Sequence, residues 1–191
     1  MKNVLPLKKS KHYTYADYLT WDKDTHYQLI DGVPYAMAGA STSHQSISMA
    51  LSIQIGAFLK GKTCRIYAAP YDVRLNADDN DDTVVMPDLL VICDKSKIQK
   101  NSCIGAPDMI IEILSPSTAK LDRIIKLNRY MRAGVREYWI VDPDNKSVQV
   151  FLLKDGKYFV SAYDYDKTEI IPVRILDGCE INLYDVFENI E

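Results

Sequence analysis

The sequence predicts an α/β fold, a mixed β-sheet flanked by helices with additional β-hairpins toward the N- and C-terminal ends. Three observations predict it. Short β-favouring runs recur at 64–69, 71–75, 87–93, 107–114 and 136–142, and several lack polar alternation, as strands covered on both faces do. Two longer segments carry helical spacing, and they sit between the strands rather than apart from them. Two Asp-Gly dipeptides, Asp31-Gly32 and Asp155-Gly156, each separate a pair of strand-like runs, which is the strongest short-range hairpin signal.

In chain order, Thr14 caps a short helix through Asp17, Tyr18 and Leu19. HYQLI and VPYAMA then form the first hairpin. Ser41, Thr42 and Ser43 are cap candidates for a helix over 44–60, where Ile47, Leu51, Ile55 and Phe58 share one face and Gly61 closes the helix. The polar stretch NADDNDD at 76–82 reads as a loop. A second helix runs from Ser117 or Thr118 to Ala133 and stops at Gly134. It feeds REYWIVD, and the hairpin KSVQVFLL–KYFVSAY follows. INLYDVFENI closes the chain as a short helix.

The 191 residues, 47% hydrophobic, suit one domain with an adequate core. Its core spans about 13–163, with an acidic extension at 164–191. Four cysteines, Cys64, Cys93, Cys103 and Cys179, form no CxxC pair, and only His12, His26 and His44 could join them. A zinc cluster is therefore not expected, and the thiols are expected to be reduced in a cytoplasmic protein. Neither a signal peptide nor a membrane span is predicted. Net charge is -3, which does not favour a coat for polyanions, but the charge is unevenly spread. Residues 120–136 hold Lys120, Arg123, Lys126, Arg129, Arg132 and Arg136 against Asp122, whereas 161–191 and the 78–82 loop are acidic.

Glu112 is the only glutamate before residue 137, and it stands inside MIIEIL. A carboxylate among such neighbours carries a heavy desolvation penalty unless it meets a cation, a donor array or a cleft. The bland alternative is a buried salt bridge or an edge-strand side chain facing water. Asp88 opens PDLLVIC, and if its segment pairs with that of Glu112 the two carboxylates converge on one sheet face. Two such groups suit Mg²⁺ (or Mn²⁺); alone, Asp88 reads as a cap after proline. Asp108 lies on the Glu112 face but ~13 Å along an extended strand, too far to share one metal. Lys126 on the basic helix could orient a water or stabilise a phosphoryl oxygen; alternatively it forms an ordinary i,i+4 pair with Asp122.

The series YQLIDG, VMPDLLVICD, APDMIIEILSPST, Asp122, Lys126, Tyr130 and AGVREYWIVDP resembles the Uma-two family of restriction endonucleases, within the PD-(D/E)XK nuclease superfamily. The resemblance implies a restriction-endonuclease-like core with a divalent metal at the open end of the sheet. It makes Asp88 the metal-binding aspartate and Glu112 the acid of the (D/E)XK element. Leu114 stands where that element has its lysine, and the resemblance points to Lys126 as substitute. Gln28 stands where similar sequences carry a helper glutamate; it can hydrogen-bond a metal-bound water but adds no charge. His44, at a predicted helix start, is a further polar candidate near the metal.

The expected activity is Mg²⁺-dependent hydrolysis of phosphodiester bonds in DNA, with Asp88, Glu112 and Lys126 catalytic. Lys120, Arg123, Arg129 and the N-terminal Lys8, Lys9 and Lys11 would supply phosphate contacts. A homodimer is an expectation by analogy with enzymes that cut both strands. Competing expectations are a catalytically weak or inactive nucleic-acid-binding module on the nuclease fold, and a protein-interaction domain using the thirteen tyrosines.

Overall fold

A computed structural model of the chain describes residues 11–22, 26–76, 78, 81–188 and 190; Lys8, Lys9 and Asp79 lie outside the described residues. Thr14 donates from its backbone N–H and its hydroxyl to Asp17 Oδ2 and so starts α1 (Tyr15–Tyr18). β1 (Tyr27–Ile30) and β2 (Val33–Ala36) form the first hairpin. Asp31 (φ 47°) and Gly32 (φ 74°) both take positive φ, as a two-residue turn of this hand requires. A Cβ on Gly32 would also meet the His12 ring at 2.1 Å.

The central layer is a six-stranded mixed sheet in the order β11-β10-β9-β8-β6-β3. Its strands are β3 (Arg65–Ala68), β6 (Leu89–Ile92), β8 (Met109–Ile113), β9 (Glu137–Asp142), β10 (Ser147–Lys154) and β11 (Lys157–Asp164). Within this sheet only β8 and β9 run parallel, joined by the basic helix as a crossover. That helix begins with a π-helical stretch, Leu121–Lys126, continues as α3 (Leu127–Ala133), and ends at Gly134 in the left-handed conformation. A five-stranded sheet, order β2-β1-β5-β4-β7, adds β4 (Asp72–Arg74), β5 (Val84–Val85) and β7 (Ser102–Ile104). In the acidic extension, β12 (Ile170–Pro172) pairs with β13 (Glu180–Asn182) before α4 (Leu183–Phe187).

Alternation along β8 sorts two cores. Met109, Ile111 and Ile113 pack with Ile47, Leu51, Ile55 and Leu59 of α2 (Thr42–Leu59) and with the C-terminal segment. Ile110 and Leu114 face the other way, onto Tyr130, Tyr138 and the five-stranded sheet. Glu112 shares this second face, inside the molecule rather than at its surface. Leu59 takes the buried place that the spacing gives to Phe58, because an i,i+4 stripe from Ile47 through Leu51 and Ile55 arrives there.

The thiol expectation is corrected: Cys64 and Cys93 form a disulfide. The β3–β6 register pairs Arg65 with Ile92, so the next residues outward, Cys64 and Cys93, stand directly opposite with Cα atoms 3.9 Å apart. Cys103 and Cys179 are buried and unpaired with each other. Among the described residues, no helix is long and apolar enough to cross a membrane.

Candidate active site

The antiparallel register of β6 and β8 pairs Leu89 with Ile111. One residue beyond the last paired positions, Asp88 comes alongside Glu112 and Ile113 at the end of the ladder. Asp88 has left the strand, and its Oδ2 accepts the Ile113 N–H at 2.7 Å. The same oxygen lies 3.2 Å from His44 Nε2. Ser41 fixes that histidine: its Oγ accepts the His44 N–H at 3.2 Å and sets the first turn of α2. Burial opposes a charge on His44, but the hydrogen bond and charge of Asp88 outweigh burial and raise it above the usual histidine range.

Glu112 is 3% exposed. Its Oε1 accepts from Tyr130 Oη at 2.6 Å and lies 3.0 Å from Lys126 Nζ. That ammonium, 2% exposed, also lies 3.0 Å from Asp122 Oδ1. Asp122, Lys126 and Tyr130 are spaced i, i+4, i+8, so a single stripe of the crossover helix delivers all three onto the Glu112 face. Tyr138 donates its hydroxyl to the Asp122 carbonyl at 3.1 Å and anchors the π-helical stretch against β9. Burial works against the charge of Lys126, yet Glu112 and Asp122 outweigh it and hold the ammonium above the ordinary lysine range. Glu112 is pushed up to about 8, first by burial and then by the charges of Asp122 and Asp88, despite Lys126.

A raised carboxyl is a statement about stability. Protonated Glu112 favours the fold fully below its ordinary value of 4.5, and the advantage is lost as pH rises to about 8. In chelator, wild type is expected to lose thermal stability across that window relative to Glu112→Gln, whose amide has no such dependence. Melting both proteins at intervals through the window measures it. Parallel curves would contradict the buried-acid account.

Two carboxylates, Glu112 and Asp122, therefore share one ammonium, and Asp88, with His44 beside it, adds its charge to Glu112. That surplus of negative charge fits a divalent cation in the physical sense that ionised Glu112 still lacks compensation after Lys126 has been counted. Among the described residues no three His, Cys, Asp or Glu side chains stand grouped as a ready metal cluster. Two carboxylates without a closed cage suit a hard ion that keeps water and takes phosphate oxygens, and do not suit structural zinc.

The other expected residues lie as follows. Gln28 is 3% exposed, and its Oε1 accepts the Met86 N–H at 3.3 Å, bracing the segment that leads to Asp88. Asp108 sits at the far end of β8, accepting from Cys93 N–H and Arg136. Lys120 is exposed. Arg123 is committed to Asp142 at 2.8 Å and Gln149 at 2.7 Å. Arg129 is buried against Asp31, Thr83 and Asn76: the same helix face that brings Lys126 inward brings Arg129 inward three residues on. Lys11 is exposed and pairs with Asp17 at 3.0 Å. The donor role of Tyr130 toward Glu112 is not part of the sequence pattern; its i+8 spacing from Asp122 is the signal that carries it.

A structure described as a putative nuclease belonging to DUF820 from Anabaena variabilis superposes with a TM-score of 0.74. It is 19% identical, and the match covers 92% of this chain and 97% of that one. The chain is 28% identical over 151 residues to the uncharacterized protein slr1290 of Synechocystis sp., covering 77% of this chain and 78% of the relative. Residues 15–184 match the family model Uma2, described as "Putative restriction endonuclease". With that match spanning most of its length, the chain belongs to the Uma2 family.

Proposed function

We infer that the protein is a divalent-metal-dependent endonuclease acting on phosphodiester bonds in DNA. The observation that supports this reading is the buried Glu112 carboxyl beside the Lys126 ammonium, with the half-buried Asp88 next to it at the end of the β6–β8 ladder. Asp88 and Glu112 would hold Mg²⁺ or Mn²⁺, which when bound supplies a polarised phosphate and a water of lowered pKa. The Ile113 N–H and His44 fix one Asp88 oxygen and leave the other for the ion. Tyr130 orients Glu112. Lys126, which keeps its proton through Asp122, would place positive charge where negative charge builds on a phosphoryl oxygen if Glu112 held the ion. Asp122 thereby acts through Lys126 rather than on substrate.

The test is incubation of the purified protein with supercoiled plasmid in Mg²⁺, in Mn²⁺ and in chelator. Nicked or linear product in either metal and none in chelator is expected. Cleavage that continues in chelator, or its absence with both metals, rejects the reading.

A further inference from the structure

We propose that a cavity walled by Tyr15, Tyr18, Trp21 and Tyr27, with Asp72 at its side, binds a nucleobase of the substrate strand that presents an amino group. This rests on the nuclease reading for what enters the cavity, not for the binding chemistry. The cavity measures about 350 Å³, within the range of small-ligand sites. Trp21 is held by the edges of Tyr13, Tyr18 and Tyr27, with ring centroids 5.4–5.6 Å apart. None of these three lies parallel to the half-buried indole, and a flat ring entering the cavity would stack on its aromatic walls, the interaction that single-stranded nucleic acids use on aromatic platforms.

The polar chemistry selects among flat ligands. Tyr18 donates its hydroxyl to Asp72 Oδ1 at 3.1 Å, and burial raises the Asp72 carboxyl with only that bond opposing it. Such a carboxylate gains most from N–H donors on an entering ring, as acidic side chains do from the cytosine amino group. Asp22 and His26 also line the cavity, and among the described residues no lysine or arginine does. A phosphate is thus disfavoured inside, and the sugar-phosphate chain stays outside.

Position supplies the link to the active site. Met86 lines the cavity and lies two residues before Asp88, ~7 Å along an extended chain. That equals two stacked base steps of ~3.4 Å. A base leaving the stack into the cavity would therefore lie within a nucleotide or two of a phosphate held at Asp88, at the usual cost of unstacking. Gln28 accepts the Met86 N–H from the β1 side, so cavity and carboxylate share one anchored segment.

The protein carries two tryptophans, and Trp139 is fully buried with its indole N–H on Glu137, so added ligands should report through Trp21. Deoxyadenosine, deoxycytidine and deoxyguanosine are expected to quench fluorescence of the full chain saturably. Thymidine should bind about tenfold more weakly, a difference of about 1.4 kcal/mol, because its ring N–H lies between two carbonyl oxygens that repel Asp72. Asp72→Asn should erase most of that discrimination, and Trp21→Phe should remove the signal. Equal response to all four nucleosides, persistence of the signal in Trp21→Phe, or response to tetramethylammonium instead overturns the proposal. Nucleosides have no phosphodiester, so the two readings fail separately. A wild type that cleaves DNA but binds no nucleoside refutes the cavity assignment. One that binds nucleosides selectively but cleaves nothing supports it and refutes the nuclease.

Discussion

Glu112→Gln is expected to lower cleavage of supercoiled DNA by at least about 100-fold while leaving the protein as stable as wild type or more so. The activity loss follows from removing one of two anionic ligands from a site whose fit to a cation depends on charge rather than on a cage. The effect belongs to the range seen when one electrostatic stabiliser is removed from a reacting centre. The stability follows from the opposite ledger. Glu112 is buried, its carboxyl is raised to about 8, and a neutral amide of the same shape removes that burden. Tyr130 can still donate to the amide oxygen, and Lys126 retains Asp122. Loss of activity in a protein that melts no lower cannot be attributed to unfolding. Asp88→Asn should give a similar loss, because the amide oxygen can keep the Ile113 N–H but offers the metal no charge. It should also raise the Mg²⁺ concentration needed for half activity, by about 10-fold or more. Plasmid nicking over a Mg²⁺ series, with melting curves for each variant, measures all of this. Cleavage persisting unchanged in both variants would dismiss the centre.

The legibility of this site in the sequence was uneven for physical reasons. Glu112 stood out because burial of an acid violates the pattern of its strand. Asp88 depends on the two segments being neighbours, and the β6–β8 ladder, which ends at Leu89 and Ile111, makes the segments so. The π-helical stretch and the inward face of the basic helix were not legible. Six basic residues in a short run look like a phosphate-binding surface, but Lys126 and Arg129 are buried and Arg123 is tied to Asp142 and Gln149. Charge counted along a chain says nothing about which side of a helix meets the core. The Cys64–Cys93 bond was hidden for a related reason, since the partners are 29 residues apart and meet only through the β3–β6 register. β5 and β7, of two and three residues, are too short to show periodicity at all. The Asp-Gly turns were legible because positive φ is a local demand that the dipeptide itself meets.

Lys126→Met should destabilise the protein by about 3–5 kcal/mol, the cost of leaving a buried ion pair with one partner missing. Above about pH 8, where Glu112 is ionised, two acids rather than one would be stranded, since Glu112 and Asp122 both lie 3.0 Å from the ammonium. An exposed i,i+4 pair of Asp122 and Lys126 would instead change stability by about 0.5 kcal/mol at most, so denaturant unfolding separates the two accounts by magnitude. Combining Lys126→Met with Glu112→Gln should recover part of the lost stability, because one stranded charge goes with it, and leave Asp122 as the remaining cost. The recovery in the double variant is the coupling between Lys126 and Glu112, and zero coupling would mean that the 3.0 Å contact carries no energy. Cleavage should follow a different order. Neither single variant nor the double is expected to cut DNA, because stability can be restored by removing charges but a phosphoryl oxygen gaining charge cannot be stabilised by a thioether. A double variant that regained stability and activity together would place Lys126 in the scaffold alone.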